Sequence, residues 1–135
     1  MGSHVATPRK SDEGHEKKIQ HTTFDEEHVN DLEKWIDAMD SELPPLKNFI
    51  LPSGGLAAST LHVARTVCRR AERDLVGLYQ AEQIDQQTYR YVNRLSDYLF
   101  MLARTCAMTE GKPETIYKKA RSRTPEAKQE EEKKE

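Results

Sequence analysis

The stretch Leu61-His62-Val63-Ala64-Arg65-Thr66-Val67-Cys68-Arg69-Arg70-Ala71-Glu72-Arg73 repeats its apolar residues at steps of three and four. That is the period of a helix with one buried face. The stripe continues through Leu75 and Leu78, so the pattern predicts a helix over roughly 57–81. On a wheel of ~100° per residue, Arg65, Arg69 and Glu72 share an arc beside the stripe, while Arg70 and Arg73 lie further round. Downstream, Val92, Leu95, Leu99, Leu102 and Ala103 predict a second long helix over roughly 85–109, with Asp85 at its cap position. Gly111 and Pro113 end it. Each helix spans about 36 Å, and the short link between them reads as an antiparallel pair. Upstream, Val29, Leu32, Trp35, Ile36 and Met39 predict another helix, capped by Thr23 or Asp25 and stopped by Pro44-Pro45.

The architecture expected is all-α, an up-down helical bundle with about three helices in 24–119. No strand alternation and no internal repeat is legible. Prolines at both ends bar the connector 44–55 from being a central strand. Its Phe49, Ile50 and Leu51 are apolar enough to predict packing on the domain. Residues 1–23 read as a polar leader, partly disordered, and 120–135 as a charged disordered tail.

Composition narrows the function. The chain has 135 residues, 36% hydrophobic and 33% charged, with net charge −2; its mean hydropathy is −0.87 and its pI about 6.2. The balance gives no case for a nucleic-acid partner. No stretch approaches ~20 apolar residues, so no membrane span is expected. The histidines, at 4, 15, 21, 28 and 62, show no metal-ligand spacing, and no metal site is assigned. His62 reads as a polar surface group. Cys68 and Cys106 read as reduced, buried and inert. Tyr89, Tyr91 and Tyr98 read as bundle packing. Ser53-Gly54-Gly55 reads as a helix-start turn, since it lacks the full phosphate-loop pattern.

One asymmetry stands out. No lysine occurs between Lys47 and Lys112, yet seven arginines do. Arginine's planar fork grips carboxylates and phosphates through paired hydrogen bonds. On the last helix, Asn93, Asp97, Phe100 and Arg104 share an arc comparable to that of Arg65, Arg69 and Glu72. Two readings fit: a ladder of inter-helical ion pairs such as Arg69–Asp97, or a polyphosphate cleft in which Glu72, Asn93 and Asp97 orient the guanidinium groups.

Three blocks, Phe49 to Gly55, Leu61 to Arg73 and Asn93 to Phe100, together resemble the C-terminal part of the PduO-type ATP:cob(I)alamin adenosyltransferases, most of all their animal mitochondrial branch. Weaker similarity covers Thr22 to Ser41, Ile116 to Lys119 and the leader Gly2 to Pro8, whose Gly2-Ser3-His4 otherwise reads as a cloning scar. The resemblance implies a five-helix bundle, a homotrimer with sites at subunit interfaces, and transfer of the 5′-deoxyadenosyl group of ATP to the cobalt of cob(I)alamin. It implies ATP and cobalamin as ligands, Mg²⁺ with the ATP, and the mitochondrial matrix (the cytoplasm for a bacterial chain). By matching position, Arg69, Arg70, Ala71, Glu72, Arg73 and Asn93 resemble the ATP-binding set, and Phe49 and Arg65 the cobalamin-binding residues. Arg65, Arg69 and Glu72 resemble the catalytic group, and Asp97 an orienting carboxylate. The family's N-terminal Thr-Gly-Asp-x-Gly-x-Thr phosphate loop and first two helices have no counterpart here. A truncated domain with exposed apolar stripes is therefore expected, and the alternative function is a catalytically incompetent helical module that joins full-length subunits.

Overall fold

The computed structural model describes residues 1–7, 9 and 16–119. The helices are α1 (Gly2–Val5), α2 (Glu16–Gln20), α3 (Glu27–Glu42), α4 (Gly55–Gln80) and α5 (Gln86–Thr109); two short strands are β1 (Ile50–Leu51) and β2 (Thr115–Ile116). The tail 120–135 lies outside the described residues, as do residues 8 and 10–15 of the leader.

α5 is the central element, packed against α4 on one side and α3 on the other. Cys68, Leu75, Ile84 and Val92 form the main core, flanked by Val5, Tyr89, Tyr91, Leu95 and Leu99. A second cluster, Ala58, Ala103 and Ala107, joins the start of α4 to the end of α5. Its small residues let the two backbones approach closely. Val29 and Leu32 are the buried residues of α3. The tyrosines pack as expected: Tyr79 stacks on Tyr89 with ring centroids 5.1 Å apart, Phe24 meets Tyr91 edge-on, and Trp35 tilts against Tyr98. Trp35 nevertheless remains about half exposed.

The helix ends differ in detail from their expected form. Neither Thr23 nor Asp25 caps α3; its N-cap is Glu26, with no side-chain capping bond. Leu43 turns extended at the other end, as a residue before proline must. Asp85 is the N-cap of α5, but its side chain caps nothing. Its carboxylate instead pairs with Arg9, and its backbone N–H donates to His4 Nε2 at 3.0 Å. His4 is 2% exposed, and its Nδ1 donates to the Thr22 carbonyl at 2.6 Å. The leader is thus docked through one buried histidine whose Nδ1–H tautomer satisfies both partners.

The connector differs as well. β1 and β2 pair antiparallel, Ile50 opposite Ile116 and Leu51 opposite Thr115. The Tyr117 N–H donates to the Phe49 carbonyl at 2.8 Å, and the Thr115 N–H to Ser53 Oγ at 2.8 Å. Backbone pairing holds this segment, not the apolar burial expected of it: Phe49 is 83% exposed. Gly54 and Gly55 both have φ of +92°, which starts α4 two residues before its predicted start.

Much of the α4 stripe is left uncovered. A groove of about 660 Å³ runs between the leader, α4 and α5, lined by Val5, Ala64, Val67, Ala71, Leu78 and Leu95 among others. No helix among the described residues is long and apolar enough to cross a membrane.

Candidate functional site

α4 presents a row of arginines. Arg69, Arg70 and Arg73 are exposed and, among the described residues, have no ion-pair partner. Three exposed arginines within five residues of one helix, unpaired among the described residues, favour an anionic ligand with several charges. Glu72, between them in sequence, is half-buried and accepts a 2.8 Å hydrogen bond from Asn93 Nδ2 on α5. That bond fixes one carboxylate oxygen beside the row. Ala71 is exposed and lines the apolar groove.

Arg65, one turn earlier, is held differently. Its guanidinium carbon lies 5.0 Å from the centroid of the Phe100 ring, and its Nε is buried without a hydrogen-bond partner. A cation over a ring face gains roughly 0.5–2 kcal/mol, more as water is removed. His62 meets the same ring edge-on, 6.1 Å between centroids. It is 7% exposed rather than the surface group its polarity predicts, because Phe100 of α5 lies against it. Burial, and next the Arg65 charge, lower its pKa, while Glu114 opposes them.

The ladder reading fails at its named rung. Asp97 pairs with Arg94 at 3.1 Å, not with Arg69. Arg94 is three residues away on the same helix, so it reaches Asp97 without spanning the inter-helical gap. Arg94 Nε also donates to Glu33 of α3 at 2.6 Å, and the bonds to Asp97 and Glu33 raise its pKa. Asp97 therefore orients Arg94 and ties α5 to α3. Sequence reasoning gave Arg94 and Glu33 no role; the three-residue spacing of Arg94 and Asp97 was the available signal. Arg104 is also structural: 4% exposed, it bonds Glu114 at 3.1 Å and the Pro44 carbonyl at 2.8 Å.

Phe49 stands on the connector just before β1. Among the described residues no ring contact links it to the arginine row. Cys68 lies beneath that row, buried, with Sγ 3.3 Å from the Val92 carbonyl; burial, then Glu72, raises its pKa against the pull of Arg69. Cys106 is only half-buried, and both thiols are free. Among the described residues no group of three His, Cys, Asp or Glu side chains is placed to hold a metal ion.

A family model described as cobalamin adenosyltransferase matches residues 1–106. The chain belongs to this family. It is 55% identical over 119 residues to the mouse corrinoid adenosyltransferase MMAB, covering 88% of this chain and 49% of the relative. It is 48% identical over 95 residues to a corrinoid adenosyltransferase of Bacillus subtilis, covering 70% and 49%. A solved phenylalanine-to-alanine variant of the PduO-type ATP:corrinoid adenosyltransferase from Lactobacillus reuteri, complexed with cobalamin and ATP, superposes with a TM-score of 0.73 at 39% identity, covering 84% of this chain and 60% of that one. An arginine-to-lysine variant complexed with ATP superposes at 0.68, with 42% identity over 73% of this chain and 58% of that one. The chain spans about half the length of the curated relatives it matches.

Proposed function

We propose that this adenosyltransferase-family chain binds ATP and cob(I)alamin and transfers the 5′-deoxyadenosyl group to cobalt. The observation that carries the reading is the set Arg69, Arg70 and Arg73, exposed and without an ion-pair partner among the described residues, beside a Glu72 fixed by Asn93. Cobalt(I) attacks C5′ of ATP. A Co–C bond forms, the C5′–O bond breaks, and triphosphate departs with the bond electrons. The chain's task is to place ATP and to neutralise the growing charge on that leaving group. Arg69, Arg70 and Arg73 supply the positive charge, with Ala71 leaving room between them. Glu72 and Asn93 supply one fixed acceptor and one amide for the nucleoside. Arg65 and the exposed Phe49 face the corrinoid, Phe49 by displacing its lower ligand. Asp97, through Arg94, keeps α5 in register. Mg²⁺ finds no cluster of protein ligands among the described residues and would arrive on the triphosphate. A homotrimer with sites between subunits, and a mitochondrial location shared with the animal branch, complete the reading.

Purified chain incubated with ATP, Mg²⁺ and chemically reduced cobalamin should form adenosylcobalamin, read by its absorbance spectrum. No product from this chain, beside product from a full-length relative, refutes activity for this form. Arg69→Ala should weaken ATP binding about 10- to 100-fold, the worth of a charge-assisted hydrogen bond. Its melting temperature should stay within about 2 °C, because an unpartnered surface residue contributes little to stability.

The open apolar groove between the leader, α4 and α5 supports a second reading, a helical module that joins full-length subunits. Co-expression with a tagged full-length relative tests it. Failure to co-purify removes it.

A further inference from the structure

Of the seven arginines in the lysine-free interval, Arg104 is the one the fold buries. We propose that Arg104 is a positioning residue: its planar fork clamps both flanks of the Phe49 stem to α5, and so sets the place from which Phe49 meets the corrinoid. The functional half of this inference rests on the corrinoid role proposed for Phe49.

The clamp is built from contacts within the chain. Arg104 Nε donates to Glu114 Oε1 at 3.1 Å, and its Nη2 donates to the Pro44 carbonyl at 2.8 Å. Pro44 lies five residues before Phe49, and Glu114 three residues before Tyr117. The Tyr117 N–H in turn donates to the Phe49 carbonyl at 2.8 Å, and Ile116 pairs with Ile50. Further along the stem the Thr115 N–H donates to Ser53 Oγ, which donates to the Leu51 carbonyl, each at 2.8 Å. One guanidinium therefore fixes the connector ahead of Phe49 and also the segment that grips the Phe49 backbone.

Arginine suits this place because its donors are held in one rigid plane, so a single group can meet a carboxylate and a carbonyl together. Lysine offers a compact point charge on a flexible stem and lacks that fork. Burial of Arg104 strengthens both bonds, since the surrounding dielectric is low. The base of the fork is fixed as well: Ala103 and Ala107, on either side of Arg104 in sequence, pack against Ala58 at the start of α4. Displacing a lower ligand by filling its place demands accurate placement of the aromatic. A misplacement of about 1 Å can cost about 100-fold in rate. Through the stem, a residue on α5 reaches the corrinoid without touching it.

The test needs no turnover. Arg104→Lys keeps the charge and removes the fork. In the ¹⁵N-labelled chain, backbone order parameters of residues 48–51 and 115–117 should lie near the rigid value of about 0.85 and fall below about 0.6 in Arg104→Lys, while those of α4 and α5 hold. Leu75→Ala, a substitution in the main core, also lowers overall stability and should leave the stem values unchanged. With cob(II)alamin and ATP as probes, absorbance reads how much bound corrinoid has lost its lower ligand. The ratio of ligand-off to ligand-on should fall about tenfold in Arg104→Lys, with ATP affinity held within about twofold, and should not change in Leu75→Ala. Where Arg104→Lys does not fold, Glu114→Ala opens the same clamp from its more exposed end and should move both readouts in the same direction. Stem order parameters that stay rigid, or that fall equally in Leu75→Ala, overturn the proposal. So does a ligand ratio that the clamp variant leaves unchanged. A native chain that binds cob(II)alamin with its lower ligand still in place, or does not bind it, refutes the corrinoid role of Phe49 instead, and the order parameters still decide whether Arg104 holds the stem.

Discussion

Replacing Gly54 by alanine tests the account of how α4 is launched. Gly54 has φ of +92° and ψ of 25°, a left-handed conformation that costs an L-residue about 1–2 kcal/mol. A Cβ built there would lie 2.5 Å from the Cβ of Ala107 and 3.2 Å from that of Ala58. Both neighbours are essentially fully buried, so neither can swing away. Overpacking of this kind adds about 1–3 kcal/mol. The expected loss is therefore about 2–5 kcal/mol, with about 3 as the central figure. At about 4 °C per kcal/mol for a folded core near 100 residues, the melting temperature should fall by about 12 °C. Gly77→Ala is the internal control. It sits inside α4, exposed, and an added Cβ would meet nothing within 4 Å. Glycine is a poor mid-helix residue, so that substitution should stabilise by about 0.5–1 kcal/mol. Urea titrations of the three proteins followed by circular dichroism give both numbers. A Gly54→Ala loss below about 1 kcal/mol, or equal losses at the two glycines, would refute the reasoning.

Further expectations follow from the ion pairs and the buried histidine. Arg104→Met should cost about 2–4 kcal/mol in the same urea titration, because it removes two hydrogen bonds from a buried cation and leaves Glu114 and the Pro44 carbonyl without that donor. Asn93→Ala should release Glu72 and weaken ATP binding about tenfold, measured by calorimetry, while costing no more than about 1 kcal/mol of stability. Because the folded chain lowers the His62 pKa below its ordinary 6.5, the unfolded chain binds that proton more readily. The His62 contribution to stability is therefore intact above pH 6.5 and is lost as the pH falls below it. In His62→Phe this part of the acid dependence should vanish from stability measured between pH 7 and 5.

The sequence was most readable where a period ran for many residues. The apolar steps of α4 and α5, the Pro44-Pro45 stop and the position of Asp85 were all visible as local patterns. The polar arcs that hold Glu72 and Asn93 on facing helices were legible, but not that the two side chains bond each other. What escaped depended on single distant encounters. His4 is buried because it reaches Thr22 and Asp85, and no periodicity announces such a contact. Two-residue strands are too short to alternate, so β1 and β2 left no trace. A wheel gives the angle of Asp97 but not which cation reaches it first, and a neighbour on the same helix won. His62 was judged by its polarity, whereas Phe100 from the adjacent helix decided its environment.

The pairing of β1 with β2 has a consequence for the order of folding. Its two partners are separated in sequence by the whole of α4 and α5, so closing that loop brings little until the helices have already drawn its ends together. The stem that carries Phe49 should thus be among the last parts to become ordered and among the first to open. A protease that cuts after Gly111 would leave the three long helices intact but set this aromatic adrift. The grip on Phe49 belongs to a short segment that reaches it only after two helices have been built.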